Sequence, residues 1–375
     1  MRVLMAPDGF GGTLSPAQAA SALADGWRRS AAGDEVDLAP LSDGGPGFVD
    51  VLATALPDAE RLAVTVEDAL ARPVCAELLL QGTTAYVESA QACGLHLLTQ
   101  QERDPLRTTT YGVGQLLTAA LDAGATRIVV GLGGSATNDG GAGLLAALGL
   151  HRLDAAGEQL APGGAALREV DRLSGALDPR LAQVDLVAAS DVESPLLGLY
   201  GASSVFGPQK GASREDVALL DGALTRWADV LEAHLDVSVR DRPGAGAAGG
   251  LGAALYVLGA TQRPGIALVQ EAVGLEERVA RADLVVTGEG RLDSSSLVGK
   301  VVSGVARMAG EHAVPCIVLA GDVQLGRREA AAAGVEQAWS LVDLVGAQRA
   351  MADAEAALAE LAAHVAGQWS AGRSS

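Results

Sequence analysis

The sequence predicts an α/β protein: a discontinuous, doubly wound parallel-sheet domain with a second α/β domain inserted into it. Three observations lead there. Short apolar runs alternate with longer Ala/Leu-rich stretches at helical spacing. The two ends of the chain keep this rhythm and the middle interrupts it. The length of 375 residues, at about 100–200 residues per domain, suggests two domains.

Each element has its own signal. Arg2–Ala6 reads as the first strand, and a glycine-rich turn leads from it to a helix near Ser15-Pro16. Serine caps that helix and proline fills its first turn. Glu35–Leu41 reads as a second strand, and Arg61–Val66 and Val74–Leu80 as antiparallel strands that break the βα pattern. Further strands are expected at Ala85–Glu88, Arg127–Gly131, Val184–Ala189, Asp283–Thr287, Cys316–Ala320 and Gln337–Val342. An amphipathic helix from Gln348 to Trp369 should turn Met351, Leu358, Leu361 and Val365 inward. The rhythm resumes near Arg263, which gives expected boundaries of 1–60 with 263–375 for the outer domain and 61–262 for the insertion.

Composition excludes several classes. With 49% hydrophobic and 19% charged residues the chain is not disordered. A net charge of −19 argues against nucleic acid and anionic membrane as partners. The Val3–Ala6 run is too short for a signal peptide. Pro243–Gln262 lacks charge but is dominated by Gly and Ala, as a buried loop and helix would be. Cys75, Cys93 and Cys316 form no CxxC pair, which fits a reducing, cytoplasmic setting without disulfides. The five histidines have no metal-ligand spacing, and the four tryptophans read as core residues.

The acids carry the first chemical signal. Asp8, Asp43, Asp139, Asp191, Glu289 and Asp322 each follow an expected strand. Ligands of open α/β sheets bind beyond the carboxyl ends of strands, so this placement suits Mg²⁺ binding, proton abstraction, or both. The plainer alternative is that each acid caps the next helix.

Glycine loops are the second signal. Gly131–Gly141, holding Gly133, Gly134, Ser135, Thr137, Asn138 and Asp139, offers backbone N–H groups and hydroxyls suited to phosphate or carboxylate oxygens. Ser42–Gly45 and Gly244–Gly250, with Gly246 and Gly249, repeat the theme. The last contains GxGxxG, but Arg242-Pro243 stands where a dinucleotide site needs a strand. Tight turns and close packing are the alternative use of these glycines. Only two of 27 basic residues are lysine, Lys210 and Lys300, and a flexible point charge suits a transferring phosphoryl group. Glu289, Arg291 and Asp293 add an anion-plus-metal clamp.

The motifs together resemble the type-1 bacterial glycerate kinases over nearly the whole chain. The resemblance rests on Ala6-Pro7-Asp8, Ser42–Gly45, Gly94-Leu95, Thr108–Gly112, Gly133–Gly141, Asp191-Val192, Phe206–Gly211, Pro243–Gly250, Thr287–Asp293 and Gly299-Lys300, in that order. It implies two α/β domains, the discontinuous one Rossmann-like, with the active site in the cleft between them. It also implies ATP- and Mg²⁺-dependent phosphorylation of D-glycerate to 2-phosphoglycerate or 3-phosphoglycerate. The chain departs from the family pattern at Gly9 and Gly11, where serine and lysine are usual, and at Pro46, where glutamate is usual.

The expected roles follow. Asp191 accepts the proton of the substrate hydroxyl, with Asp8 in reserve. Asp43, Glu289 and Asp293 are metal ligands. The loops containing Gly133 to Asp139 and Gly246 to Gly249 hold phosphates, Arg291 grips the carboxylate, and Lys210 and Lys300 offset transition-state charge. The partners expected are ATP and glycerate, and a homodimer is compatible with the sequence. Rival readings are a kinase for another hydroxy acid, a silent nucleotide-binding protein and, most distant, a nicotinamide oxidoreductase.

Overall fold

The computed structural model describes residues 1–297 and 300–371, and the chain divides into two compact units. The first comprises Met1–Asp43, Asp50–Leu56 and Pro264–Ser375; the second comprises Gly44–Val49 and Pro57–Arg263.

The first unit is built on a five-stranded, wholly parallel sheet. Its spatial order is Gln337–Ser340, Cys316–Ala320, Leu284–Thr287, Arg2–Met5 and Glu35–Leu38. Leu284–Thr287 and Cys316–Ala320 are buried along their length, because helices cover both faces of a parallel sheet. The strand at one edge, Glu35–Leu38, alternates exposed and half-buried residues instead. The first helix, Pro16–Ser30, begins as its residues dictate: Ser15 Oγ accepts from Gln18 N–H at 3.2 Å, and Gln18 Oε1 accepts from Ser15 N–H at 2.9 Å.

That helix packs on the C-terminal helix Ala354–Ala371. Gly26 makes the approach possible: a Cβ on it would stand 2.0 Å from the Ala359 carbonyl oxygen. Beside it Trp27 is fully buried and donates Nε1–H to Asp34 at 2.9 Å.

The second unit has a mixed six-stranded sheet ordered Thr261–Arg263, Asp185–Ala189, Arg127–Gly131, Thr84–Glu88, Pro73–Gln81 and Glu60–Glu67. The first four strands run parallel and the last two join antiparallel. Asp68 sets the hairpin between those two by accepting from Leu70 N–H and Arg72 N–H at 2.8 and 2.9 Å. Trp227, on the long helix Arg214–Leu235, lies in the second core.

Several expected spans are shorter than expected. The second strand ends at Leu38, and Gln337–Ser340 gives way to a helix at Leu341–Val345. The expected terminal helix is two, Ala347–Ala352 and Ala354–Ala371, broken at Asp353 with φ −142°. The break turns Met351 outward at 68% exposure, correcting the inward placement, while Leu358, Leu361 and Val365 are buried. Pro243–Gln262 holds the buried helix Ala247–Val257, and no helix among the described residues is long and apolar enough to cross a membrane. Cys75, Cys93 and Cys316 are free thiols.

Gly26→Ala should lower stability by about 1–3 kcal/mol, since the methyl must push two helices apart. Urea unfolding measures it, and an unshifted midpoint would mean that this contact yields without cost.

Candidate active site

In the first unit three adjacent parallel strands end in acids. Asp8 follows Arg2–Met5, Asp43 follows Glu35–Leu38 and Glu289 follows Leu284–Thr287. Backbone bonds hold these loops in register: Asp8 N–H donates to Gly288 O at 2.8 Å, and Leu41 N–H to Pro7 O at 2.9 Å. Thr287 Oγ1 donates to Ala6 O at 2.7 Å.

The outcome is a crowd of like charge. Burial, then the Asp43 carboxylate, pushes Asp8 well above the usual carboxylate range; Glu289 adds to this, while Gly9 N–H and Lys300 oppose it. Glu289 is raised first by burial and further by Asp293 and Asp43, against the Ser296 hydroxyl and Lys300. The structure therefore brings Asp8, Asp43, Glu289, Asp293 and Lys300 within electrostatic reach of one another. Lys300 stands just before the helix Val301–Glu311, and its backbone N–H donates to Ser303 Oγ at 3.2 Å. Its expected neighbour in the motif, Gly299, lies outside the described residues. Arg291 is exposed and opens a two-residue strand paired with Asp322–Val323. Asp322 accepts from Gln324 at 2.8 Å.

Among the described residues no three Asp, Glu, His or Cys side chains converge into a ready-made metal cage. Mg²⁺ does not require one, since it usually takes one or two carboxylates and fills its shell with water and substrate phosphate oxygens. Glu289 Oε1 is buried without a hydrogen-bonding partner, an acceptor of the hard-oxygen type that such an ion takes. The residues present fit the ion.

The second unit repeats the arrangement. Thr84–Glu88, Arg127–Gly131 and Asp185–Ala189 are adjacent and parallel, and they lead into Glu88, the Gly133–Asp139 loop and Asp191. Asp191 sits in a fixed turn: Gln262 Nε2–H donates to the carbonyls on either side of it, Ser190 O at 3.0 Å and Val192 O at 2.9 Å. Glu88 went unnoticed in the sequence although the same strand-end signal marks it. Its Oε2 accepts from Gly47 N–H at 3.1 Å and Val49 N–H at 3.3 Å, so it caps the helix Phe48–Ala55.

The loop residues are committed inward. Asp139 is buried and accepts from Thr110 N–H at 2.9 Å, Thr110 Oγ1 at 2.9 Å, and Gly141 and Gly143 N–H at 3.1 Å each. Asn138 is buried and donates Nδ2–H to Ser203 Oγ at 2.9 Å. Lys210 is buried as well, its ammonium donating to Ser135 Oγ at 2.9 Å and to Thr137 O at 2.7 Å. Lys210 thus clamps the loop from within. The two glycine loops pack on each other: a Cβ on Gly249, where φ is +71°, would stand 1.9 Å from Thr137 O. Gly246 N–H is taken by Ser194 O at 2.9 Å. Within Gly133–Asp139, Gly133 is half-buried and Gly134 exposed, and the remaining residues are buried.

A family model described as glycerate kinase family matches residues 3–370. A glycerate kinase of Halalkalibacterium halodurans is 43% identical over 97% of this chain and 97% of its own length. A glycerate 2-kinase of Escherichia coli is 44% identical over 86% of each chain. The crystal structure of a candidate glycerate kinase 2 from Salmonella typhimurium LT2 matches with a TM-score of 0.79 and 41% identity, covering both chains in full. The fold is an α/β architecture with parallel sheets, as in that structure. The chain belongs to the glycerate kinase family.

Lys210 gives a pH test. Burial lowers its ammonium from 10.5 to about 8, with Cys93 and Asp139 opposing. Between pH 8 and 10.5 the unfolded chain then binds more protons than the native one, so the Lys210 contribution to stability rises with pH. Cys93 and Cys316 are held up to about 12 against an ordinary 9.0, and their contribution falls as pH rises above 9.0. Lys210→Met removes the first trend and keeps the second. The stability difference between wild type and Lys210→Met, from urea melts across this range, should therefore shift in favour of the wild type as pH rises; a flat difference would contradict the buried charge.

Proposed function

We propose that this chain transfers the γ-phosphoryl group of ATP to a hydroxyl of D-glycerate, yielding ADP and 2-phosphoglycerate or 3-phosphoglycerate, with Mg²⁺ required. Family membership across residues 3–370 supports the reading, and the placement of acids at the carboxyl ends of adjacent parallel strands carries its chemistry.

The roles divide by chemistry. The substrate oxygen attacks the γ-phosphorus as the bond to the β–γ bridging oxygen breaks, and the hydroxyl proton passes to Asp191. Asp8 is the reserve acceptor; its raised affinity for a proton makes it a poorer first choice, because it is more often already protonated. Asp43, Glu289 and Asp293 would hold Mg²⁺, which supplies charge neutralisation on the phosphates when bound. Lys300 stands in the same acidic group and offsets its charge. Arg291, exposed, is free to reach a carboxylate. In the second unit the Gly133-Gly134 turn is the part of the loop open to a phosphate, and Ser135, Thr137, Asn138, Asp139 and Lys210 hold its shape. Gly246 and Gly249 support the loop by packing.

A second reading, a kinase for another small hydroxy acid, is favoured by Gly9 and Gly11. The space at Gly9 would admit a side chain, its nearest neighbour being Leu14 O at 3.4 Å, so packing does not impose that departure.

ADP release from ATP, with Mg²⁺ and with or without D-glycerate, tests the proposal, L-glycerate serving as control. Release that requires D-glycerate supports it, and release only with a different hydroxy acid moves the substrate. Asp191→Asn should fold normally and lose about 10²–10⁴ in kcat. An Asp191→Asn protein of undiminished turnover would take the base role from this residue.

A further inference from the structure

Arg103 stands against Gly211, which follows the Lys210 that clamps the glycine loop. We propose that it is an oxyanion-binding residue of the second unit, its guanidinium taking a carboxylate or phosphate oxygen of a substrate; this rests on the phosphoryl-transfer reading above.

Its position is fixed from both sides. Asp104 Oδ1 accepts from Leu106 N–H at 3.0 Å, and Asp104 O accepts from Thr108 N–H at 3.1 Å, so the backbone turns sharply just after Arg103. Thr108 Oγ1 then donates to Ala136 O at 2.9 Å, and Thr110 binds Asp139. On the other side, the Arg103 carbonyl backs onto Gly211, where an added Cβ would stand 2.3 Å from its oxygen. Gly211 follows Lys210, the residue that clamps Ser135 and Thr137.

The side chain is half-buried, and its Nε is buried with no hydrogen-bonding partner. Among the described residues the other arginines that are not exposed, Arg127, Arg152, Arg240, Arg263 and Arg278, each make at least one interaction, although Arg152 Nε is likewise buried without a partner. Nor do the acids on either side of Arg103 neutralise it. Glu102 is taken by Arg72 at 2.6 Å and by Thr99 N–H at 2.9 Å, while Asp104 holds its own turn. A cation partly withdrawn from water, with both flanking carboxylates turned elsewhere, is costly unless an anion arrives. A planar guanidinium fork matches carboxylate and phosphate oxygens alike. Both substrates of the proposed reaction are anions.

The experiment compares wild type with Arg103→Lys and Arg103→Gln, measuring KM for D-glycerate and for ATP separately, with melting temperature as the folding control. Loss of a charged hydrogen bond should raise one KM by about tenfold or more. A rise confined to D-glycerate assigns the carboxylate, and a rise confined to ATP assigns a phosphate; Arg103→Lys, keeping the charge, should suffer less than Arg103→Gln. Added guanidinium ion should restore part of the loss in Arg103→Gln, which a merely structural role would not allow. Calorimetric titration with D-glycerate and with ATP gives the same comparison without turnover. It also serves if a variant folds poorly, because Arg103→Lys preserves most of the side-chain volume. An active wild type whose variants keep both KM values and both affinities overturns the assignment of Arg103 alone. A wild type that binds neither anion overturns this proposal and the phosphoryl-transfer reading together.

Discussion

The buried Asp139 carboxylate is the constraint on which the loops of the second unit depend. It accepts from backbone and hydroxyl donors of Thr110 and from the N–H groups of Gly141 and Gly143. Two stretches distant in sequence are thereby fixed to one point. Lys210 enters the same region and ties Ser135 and Thr137 to a third stretch. A buried carboxylate and a buried ammonium each carry a desolvation cost, and each is offset here by several donors or acceptors, so the network is stiff only when complete. A stiff loop can present backbone to a phosphate without reorganising, which is what positioning catalysis requires.

The first unit solves a different problem. Its parallel strands bring Asp8, Asp43 and Glu289 together, and like charges in a partly dry setting resist ionising together. Such a site has two ways of relieving the repulsion, a proton or a cation. Lys300 provides part of the relief and the unpartnered Glu289 oxygen marks where more is needed. On the proposed reading, a divalent ion would relieve the same repulsion.

The fold was legible where burial writes itself into composition. Arg127–Gly131 and Cys316–Ala320 are continuous apolar runs and lie where their composition places them, fully inside parallel sheets. Met351 shows the limit: helical spacing alone could not reveal the break at Asp353 that rotates it outward. For the site, strand-end acids could be picked out, but whether an acid faces a ligand or caps a neighbour depends on tertiary partners. Asp139 proves to hold its own loop, and Glu88, marked by the same signal, caps the helix Phe48–Ala55. Lys210 was visible as a rare residue, though not as a buried one. Arg103 left no trace in the sequence because what distinguishes it is the company its neighbours keep.

A chain with net charge −19 repels anionic ligands at long range, so recognition must come from short-range groups whose own counter-charges are occupied elsewhere. Most arginines here are neutralised at the surface by adjacent acids, as in Arg180 with Asp122 and Asp178 or Arg72 with Asp68 and Glu102. Surface pairing of this kind contributes little to stability. Its consequence for binding is larger: Glu102, next to Arg103 in the chain, is engaged by Arg72 and by Thr99 instead. An abundance of acids thus selects, by which pairs form, the few cations left to meet a substrate.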